Sequence, residues 1–128
     1  MAQYWMDEGE VDVINKYLQT QDLYLGLFSD PATITEDKVL TDLTELPLEM
    51  GGYDRQLLAM GDWTVVGSVA SQPYKTFTFA SDKTVRGYFI TSVGGSGDGL
   101  LLSVVYFSTP LDMLIGEILK VKANIEVK

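Results

Sequence analysis

The sequence predicts a mainly β protein, an antiparallel β-sandwich or jelly roll with a short N-terminal helix and arm. From residue 23 onward, about seven or eight short segments rich in β-branched and aromatic residues are separated by Gly, Pro, Ser and Asp. These segments do not alternate with helices, so a parallel sheet built from βαβ units is not expected. A chain of 128 residues with 46% hydrophobic content suffices for one compact domain.

The domain organisation follows from a change of pattern near residue 20. We expect residues 1–20 to form an arm and helix, and residues 21–128 to form a single β-sandwich domain. Val11, Ile14 and Leu18 recur at the spacing of one helical face. A helix of about three turns is marginal alone, so it must pack on its own domain or on a neighbouring subunit.

The chain tip ahead of this helix is unusually apolar. Tyr4, Trp5 and Met6 either pack into the core or reach onto a partner. Together with Val11 and Ile14 of the apolar helical face, they are the candidate partner-contact residues.

The remaining elements are predicted from alternation and from turn residues. Segment 100–107 has apolar residues at both odd and even positions, which predicts a central strand covered on both faces. Segment 119–128 alternates apolar and polar residues strictly, as a half-buried strand does. Residues 32–50 are predicted to form a long loop with one short helix near 35–40, and Pro47 argues against a central strand there. The predicted strands are 23–28, 53–58, 63–66, 74–79, 85–91, 100–107 and 119–128.

Charge and composition argue against several classes of function. The chain has 18 acidic and 9 basic residues, a net charge of −9, and neither His nor Cys. Nucleic acid is not expected as a partner, because affinity for phosphates depends on Lys and Arg. Disulfides and zinc sites are excluded by the missing side chains, and no cofactor or metal is expected. No apolar run approaches the roughly 20 residues of a membrane-spanning helix, so no membrane contact is expected.

The acidic residues are concentrated in the first half of the chain. Residues 1–62 hold 13 acids and 3 bases, whereas residues 63–128 hold 5 acids and 6 bases. This division either places an acidic surface opposite a near-neutral one or reflects solvated loops spread around the fold.

No constellation of residues indicates catalysis, and we expect no enzyme. The glycine-rich segment 94–99 fits neither phosphate-binding pattern and is predicted to be a hairpin connection. The acids between residues 36 and 54 lack the spacing of an EF-hand and the surroundings of a glycosidase site. A Ser nucleophile has no His to activate it, while a Lys nucleophile stays open. Arg55 is expected to be a structural anchor that pairs with an acid or a carbonyl, ahead of a role in partner binding.

Several short motifs come in an order that resembles one family. They are Leu23-Tyr24-Leu25-Gly26-Leu27-Phe28-Ser29-Asp30, Leu43-Thr44-Glu45, Gly51-Gly52-Tyr53-Asp54-Arg55-Gln56, Trp63, Thr76-Phe77-Thr78-Phe79-Ala80 and Val85-Arg86-Gly87-Tyr88-Phe89-Ile90. This pattern, over residues 22–108, is similar to that of small virion structural proteins of tailed bacteriophages. It departs from an ordinary small fibre protein in lacking a long repetitive shaft.

The resemblance implies a non-enzymatic capsid decoration (cement) protein that binds the outer face of a phage head and stabilises it. Its implied partners are further copies of itself, as a homotrimer, and the major capsid protein, with no nucleic acid and no membrane. Its implied location is the capsid surface of the virion, after assembly in the host cytoplasm. The alternative is a carbohydrate- or receptor-binding β-sandwich module of a head or tail fibre.

Overall fold

The structure is a computed structural model, and it describes residues 18, 20–29, 43–66, 69–94 and 99–126. Nine β-strands lie within these ranges, and a 3₁₀ turn precedes the third of them. All the strand pairs are antiparallel, which confirms the predicted mainly β, antiparallel class. The strands are β1 (Leu23–Phe28), β2 (Gln56–Leu58), β3 (Thr64–Val66), β4 (Val69–Ser71), β5 (Lys75–Thr78), β6 (Lys83–Thr91), β7 (Leu101–Met113), β8 (Ile118–Val121) and β9 (Asn124–Glu126).

The strands form three sheets that share one hydrophobic core. The main sheet has the order β2-β1-β6-β7, the second β3-β4-β9 and the third β5-β8. Leu25 of the main sheet, Ala70 of the second and Phe77 of the third belong to the same buried cluster. The arrangement is therefore sandwich-like, with the main sheet covered on its inner face by strands of the two smaller sheets.

The prediction that segment 100–107 is a central strand covered on both faces is wrong. β7 lies at the edge of the main sheet and pairs with β6 alone among the described strands. None of its side chains is fully buried, whereas the central β1 and β6 are buried along most of their length.

A register shift explains why apolar residues occupy both parities of β7. The pairing of β6 with β7 changes register between Ile90 and Thr91. An inserted residue on one strand reverses the facing of the side chains that follow it. Leu101 and Val104 therefore both pack on an outer cluster, while Val105 packs on the main core.

The two central strands pack through reciprocal glycine–phenylalanine pairs on the outer face of the main sheet. Gly26 lies opposite Phe89, and Phe28 lies opposite Gly87. A Cβ at Gly26 would overlap the Phe89 ring, and one at Gly87 would approach the Phe28 ring to 2.7 Å. Each ring therefore occupies the space that a side chain on the opposite residue would need. Both phenylalanines are fully buried.

The predicted strand 119–128 is two strands. β8 pairs with β5 and β9 pairs with β4, so the chain passes from the third sheet to the second at Lys122 and Ala123. The predicted alternation is confirmed from residue 119 to residue 125, where odd positions are buried or half-buried and even positions are exposed. Because two residues separate the strands, the alternation of buried and exposed side chains continues unchanged from β8 into β9. The sequence pattern therefore gives no sign that the strand ends.

The other predictions have mixed outcomes. β1 has the predicted bounds, whereas β4, which begins only three positions after the end of β3, was missed. Pro47 lies outside any strand, as expected.

The helix predicted near 35–40 lies outside the described residues, and so does most of the N-terminal helix. Its last position, Leu18, is helical, 2% exposed and part of the main core. In the described ranges no helix is long and apolar enough to cross a membrane.

Candidate assembly surface

The sequence-predicted partner contacts all lie outside the described residues, so that prediction stays untested. They are Tyr4, Trp5, Met6, Val11 and Ile14. The described part of the chain carries other features that bear on function: a buried polar cluster, an apolar turn and a long edge strand.

The polar cluster is centred on Arg55, whose side chain is 3% exposed. Its Nε and Nη2 donate to the two carboxylate oxygens of Glu45 at 2.9 and 2.7 Å. Nη1 donates to the carbonyl of Val93 at 2.7 Å, and the guanidinium lies 5.5 Å from the centre of the Phe89 ring. The hydrogen bond to Glu45 raises the pKa of Arg55, so the guanidinium stays charged. The predicted role of Arg55 as an anchor paired with an acid and a carbonyl is confirmed.

Tyr53 completes the cluster from the core side. Its hydroxyl donates to Glu45 Oε2 at 2.6 Å and accepts a hydrogen bond from the Leu27 backbone N–H at 2.9 Å. Burial, with a smaller effect from the hydrogen bond and charge of Glu45, raises the pKa of the Tyr53 phenol far above its ordinary value. The ring stacks on Phe77 with centroids 5.9 Å apart. The phenol is thus held in its neutral form between the strand and the carboxylate.

The cluster takes over the backbone hydrogen bonds of β1 where β2 no longer pairs with it. β2 pairs with Leu23 to Leu25 only. Further along β1, the Leu27 carbonyl accepts a hydrogen bond from Leu46 N at 3.1 Å, and the Leu27 N–H donates a hydrogen bond to the Tyr53 hydroxyl. Glu45, Tyr53 and Arg55 also belong to two of the motifs that carry the resemblance. These motif residues therefore hold the loop 43–55 against the main sheet.

The apolar turn, residues 114–118, comprises the connection from β7 to β8 and the first residue of β8, and it exposes large aliphatic side chains. Leu114 is 56% exposed, Ile115 68% and Ile118 58%. An exposed apolar patch, unlike single scattered apolar residues, is a feature of interaction sites. Sequence reasoning missed this turn, although the apolar residues on both sides of Gly116 are a signal that could have found it.

The backbone of the apolar turn is held by hydrogen bonds within the protein. Leu114 N donates to Glu117 Oε1 at 2.6 Å, and Ile115 N donates to Asp82 Oδ1 at 2.9 Å. Gly116 N donates to the backbone carbonyl of Phe79, the residue after β5, at 2.7 Å. The φ of Gly116 is +85°, a left-handed conformation that favours glycine. The exposed aliphatic groups are therefore presented on a fixed backbone.

Acidic side chains surround the apolar turn. Asp82 and Glu117 accept its backbone hydrogen bonds, and Asp112 accepts from the Thr84 hydroxyl at 2.8 Å. The depression beside the turn has a volume of about 180 Å³. This is below the roughly 300–1,000 Å³ of ordinary small-molecule sites. Its lining residues are Asp82, Lys83, Thr84, Asp112, Met113 and Leu114.

The edge strand β7 is the third feature. It is 13 residues long, and no described strand pairs with its outer edge. Residues 99–111 contain no charged side chain, and Leu102 and Tyr106 are each 37% exposed. A long uncharged edge is a template for pairing with another chain.

The described residues include no group of three or more acidic side chains placed to hold a metal ion. β6 and β7, the strands on either side of the glycine-rich segment, pair antiparallel, and Ser92 N donates to the Leu100 carbonyl at 3.2 Å. Most of the segment, which is predicted to be a hairpin connection, lies outside the described residues. Comparisons of this chain with protein-family models, with curated proteins and with solved structures found no match.

Proposed function

We propose that this chain is a non-enzymatic structural protein of a virion, and specifically a capsid decoration protein that binds the outer face of a phage head and stabilises it. The resemblance over residues 22–108 supports this class of protein. The observation that carries the proposal is the apolar turn, a rigid, exposed group of aliphatic side chains. Its partners are further copies of itself and the major capsid protein, at the surface of the virion and after assembly in the host cytoplasm.

The apolar turn suits attachment to a repeating shell. Burying an aliphatic side chain completely contributes about 1.5–3 kcal/mol, so the exposed parts of Leu114, Ile115 and Ile118 together offer about 3–5 kcal/mol before the costs of association. Because the backbone is already fixed, binding requires little further ordering of the turn. An oligomer that engages several equivalent sites on a shell gains further affinity by avidity.

The acidic surroundings of the turn specify the complementary site. Asp82, Asp112 and Glu117 lie beside the aliphatic side chains, and the whole chain has a net charge of −9. The matching pocket on the shell is therefore apolar with Lys or Arg at its rim. The same excess of acids makes nucleic acid an unsuitable partner.

The test is binding to expanded empty heads of the phage that encodes the chain. The purified protein should sediment with the heads and raise the temperature at which they disassemble. Ile115→Ser should weaken binding about tenfold or more, since it removes the most exposed aliphatic group of the turn. Val66→Ser is the matched control, because Val66 is 74% exposed but belongs to a different sheet. A wild-type chain that stays in the supernatant at every ratio would refute the proposal.

The alternative, a carbohydrate- or receptor-binding module, has one observation in its favour. Tyr74 is 65% exposed, and the Lys122 ammonium lies 5.8 Å from the centre of its ring. An exposed aromatic ring beside a cation is a surface on which a sugar can stack. Reproducible hits on a glycan array that disappear in Tyr74→Ala, with no binding to heads, would favour this function over capsid decoration.

A further inference from the structure

We infer that the protein attaches to the shell end-on, through a surface that combines the apolar turn with a second turn at the same end of the sandwich. The second turn, residues 48–52, is called the methionine turn below, after Met50. The opposite end, where β6 ends and β7 begins, then points away from the shell. This inference rests on the proposed function, because the partner is the same apolar site with a basic rim.

The methionine turn is a β-turn with a fixed backbone. Gly52 N donates to the Glu49 carbonyl at 3.0 Å, and Glu49 N donates to the Tyr53 carbonyl at 3.0 Å. Gly51 has a φ of +74°, the left-handed conformation that the third position of a type II turn requires. Met50 lies at the second position and is fully exposed. Its side chain is therefore presented in the same way as those of the apolar turn.

Segment 79–83, which links β5 to β6, fixes the methionine turn from below. The Ser81 hydroxyl donates to Glu49 Oε2 at 2.7 Å. A Cβ on Gly52 would lie 2.7 Å from the Cβ of Ala80, so the two backbones are in close contact there. The turn is therefore held both by a hydrogen bond to a carboxylate and by close packing.

The same segment holds the apolar turn. Asp82 Oδ1 accepts from Ile115 N at 2.9 Å. Phe79 N donates to the Glu117 carbonyl at 3.2 Å, and the Phe79 carbonyl accepts from Gly116 N at 2.7 Å. The methionine turn and the apolar turn therefore lie beside one short segment, although more than 60 residues separate them in the sequence.

The strand directions place this segment at one end of the sandwich. β6 begins at Lys83, opposite Met113, where β7 ends. Segment 79–83 precedes the first of these residues and the apolar turn follows the second. At the far end of the main sheet, β6 ends at Thr91 opposite Leu101, where β7 begins.

Exposed apolar side chains are concentrated at the end that carries the two turns. The described ranges expose twelve large hydrophobic residues, and the ten residues of the two turns hold five of them. This grouping is typical of an interaction site, whereas single exposed apolar residues are normal on any surface. The five are Leu48, Met50, Leu114, Ile115 and Ile118.

The acids at this end decide between a second copy and a different partner. Asp82, Asp112 and Glu117 are all exposed there. Two copies that met through this end would bring these carboxylates together, which is repulsive. A site with Lys or Arg around an apolar floor pairs with the acids and covers the aliphatic groups. The shell site therefore extends far enough to cover Met50 as well as Ile115.

The first experiment measures which end is covered on expanded empty heads. The chain has no Cys, so Met50→Cys and Leu100→Cys each introduce a single thiol, one at each end. Leu100 is 64% exposed, so both thiols should react readily with a maleimide in the free protein. Heads present at saturating concentration should slow the reaction of Met50→Cys about tenfold or more, because the core of an interface excludes water. The reaction of Leu100→Cys should be unchanged.

The second experiment measures the affinity for heads by sedimentation. Met50→Ser should weaken binding about tenfold or more, whereas Leu100→Ser, the matched control at the far end, should bind as the wild type does. Both variants should keep the urea midpoint of the wild type, because both side chains are exposed.

Two results would overturn end-on attachment while leaving the proposed function in place. One is a complex in which Met50→Cys stays reactive and Leu100→Cys is protected. The other is Met50→Ser binding with wild-type affinity when Ile115→Ser does not. A wild-type chain that fails to bind heads would refute the proposed function, and end-on attachment with it.

Discussion

Removing the Tyr53 hydroxyl tests whether the buried polar cluster stabilises the fold. Tyr53→Phe keeps the ring and its stacking on Phe77 but deletes the hydrogen bonds to Leu27 N and to Glu45. Leu27 is fully buried, so its N–H loses its partner without gaining water. An unsatisfied buried donor costs about 1–3 kcal/mol, and the lost hydrogen bond to a carboxylate adds about 1.5 kcal/mol. We expect the free energy of unfolding to fall by about 3 kcal/mol.

The assay is urea denaturation followed by tryptophan fluorescence and circular dichroism. The midpoint should fall while the slope m stays constant, because the surface exposed on unfolding does not change. The melting temperature should drop by about 10 °C for a domain of this size. Tyr74→Phe removes the same atom from a side chain that is 65% exposed, so its effect should stay within about 0.5 kcal/mol. A loss below about 1 kcal/mol in Tyr53→Phe would show that the cluster contributes little.

Further predictions concern pH, close packing and the N-terminal boundary. Burial raises the pKa of Tyr53, so above about pH 10 the unfolded chain releases a proton that the folded chain keeps. The free energy of unfolding should therefore fall by about 1.4 kcal/mol per pH unit above about pH 10. In Tyr53→Phe this alkaline fall should be shallower, because the titrating phenol is absent. Gly87→Ala should cost about 3 kcal/mol or more, because the added Cβ would overlap the Val105 backbone carbonyl and lie 2.7 Å from the Phe28 ring. Gly61→Ala, with open space around it, should change the urea midpoint little. Leu18→Ala should cost about 2–4 kcal/mol because Leu18 is 2% exposed in the core, whereas Leu48→Ala, at a site 42% exposed, should cost less than about 1 kcal/mol in the same titration.

The parts of the fold that sequence predicted correctly depend on local periodicity. The alternating leucines of β1 and the alternation from residue 119 to residue 125 each specify which side chains face the core. This signal is contained in neighbouring residues and needs no knowledge of the partner strand. The same locality explains the failure at β7, because whether a strand is central or at an edge depends on which other strands lie beside it.

The candidate sites were less accessible to sequence reasoning. The anchoring role of Arg55 followed from its being a rare base among acids, but its partner Glu45 lies ten residues away across an irregular loop without periodicity. The exposure of the apolar turn depends on Asp82 and on the segment after β5, which hold its backbone in place. An apolar sequence around a glycine predicts a turn but does not predict that its side chains point into solvent. The contacts predicted for residues 4–14 lie outside the described residues.

The charge division along the chain does not persist in the described fold. The main sheet places β1 and β2, from the acidic half, beside β6 and β7 from the near-neutral half. Glu49, from the acidic half, contacts two residues of the near-neutral half. Its Oε2 accepts a hydrogen bond from the Ser81 hydroxyl at 2.7 Å, and its Oε1 lies 3.9 Å from Lys83 Nζ. Within the described residues the two halves of the sequence are therefore interleaved in one sheet, and a local uncharged segment lies at residues 99–111.

Salt tests whether the acids beside the apolar turn contact the shell. Attachment through the turn places Asp82, Asp112 and Glu117 opposite basic groups on the shell, and salt screens the attraction between such groups. Binding to heads should therefore weaken as ionic strength rises. Sedimentation of the protein with heads, between low and high salt, measures this trend. If binding strengthens with salt, the acids beside the turn do not contact the shell.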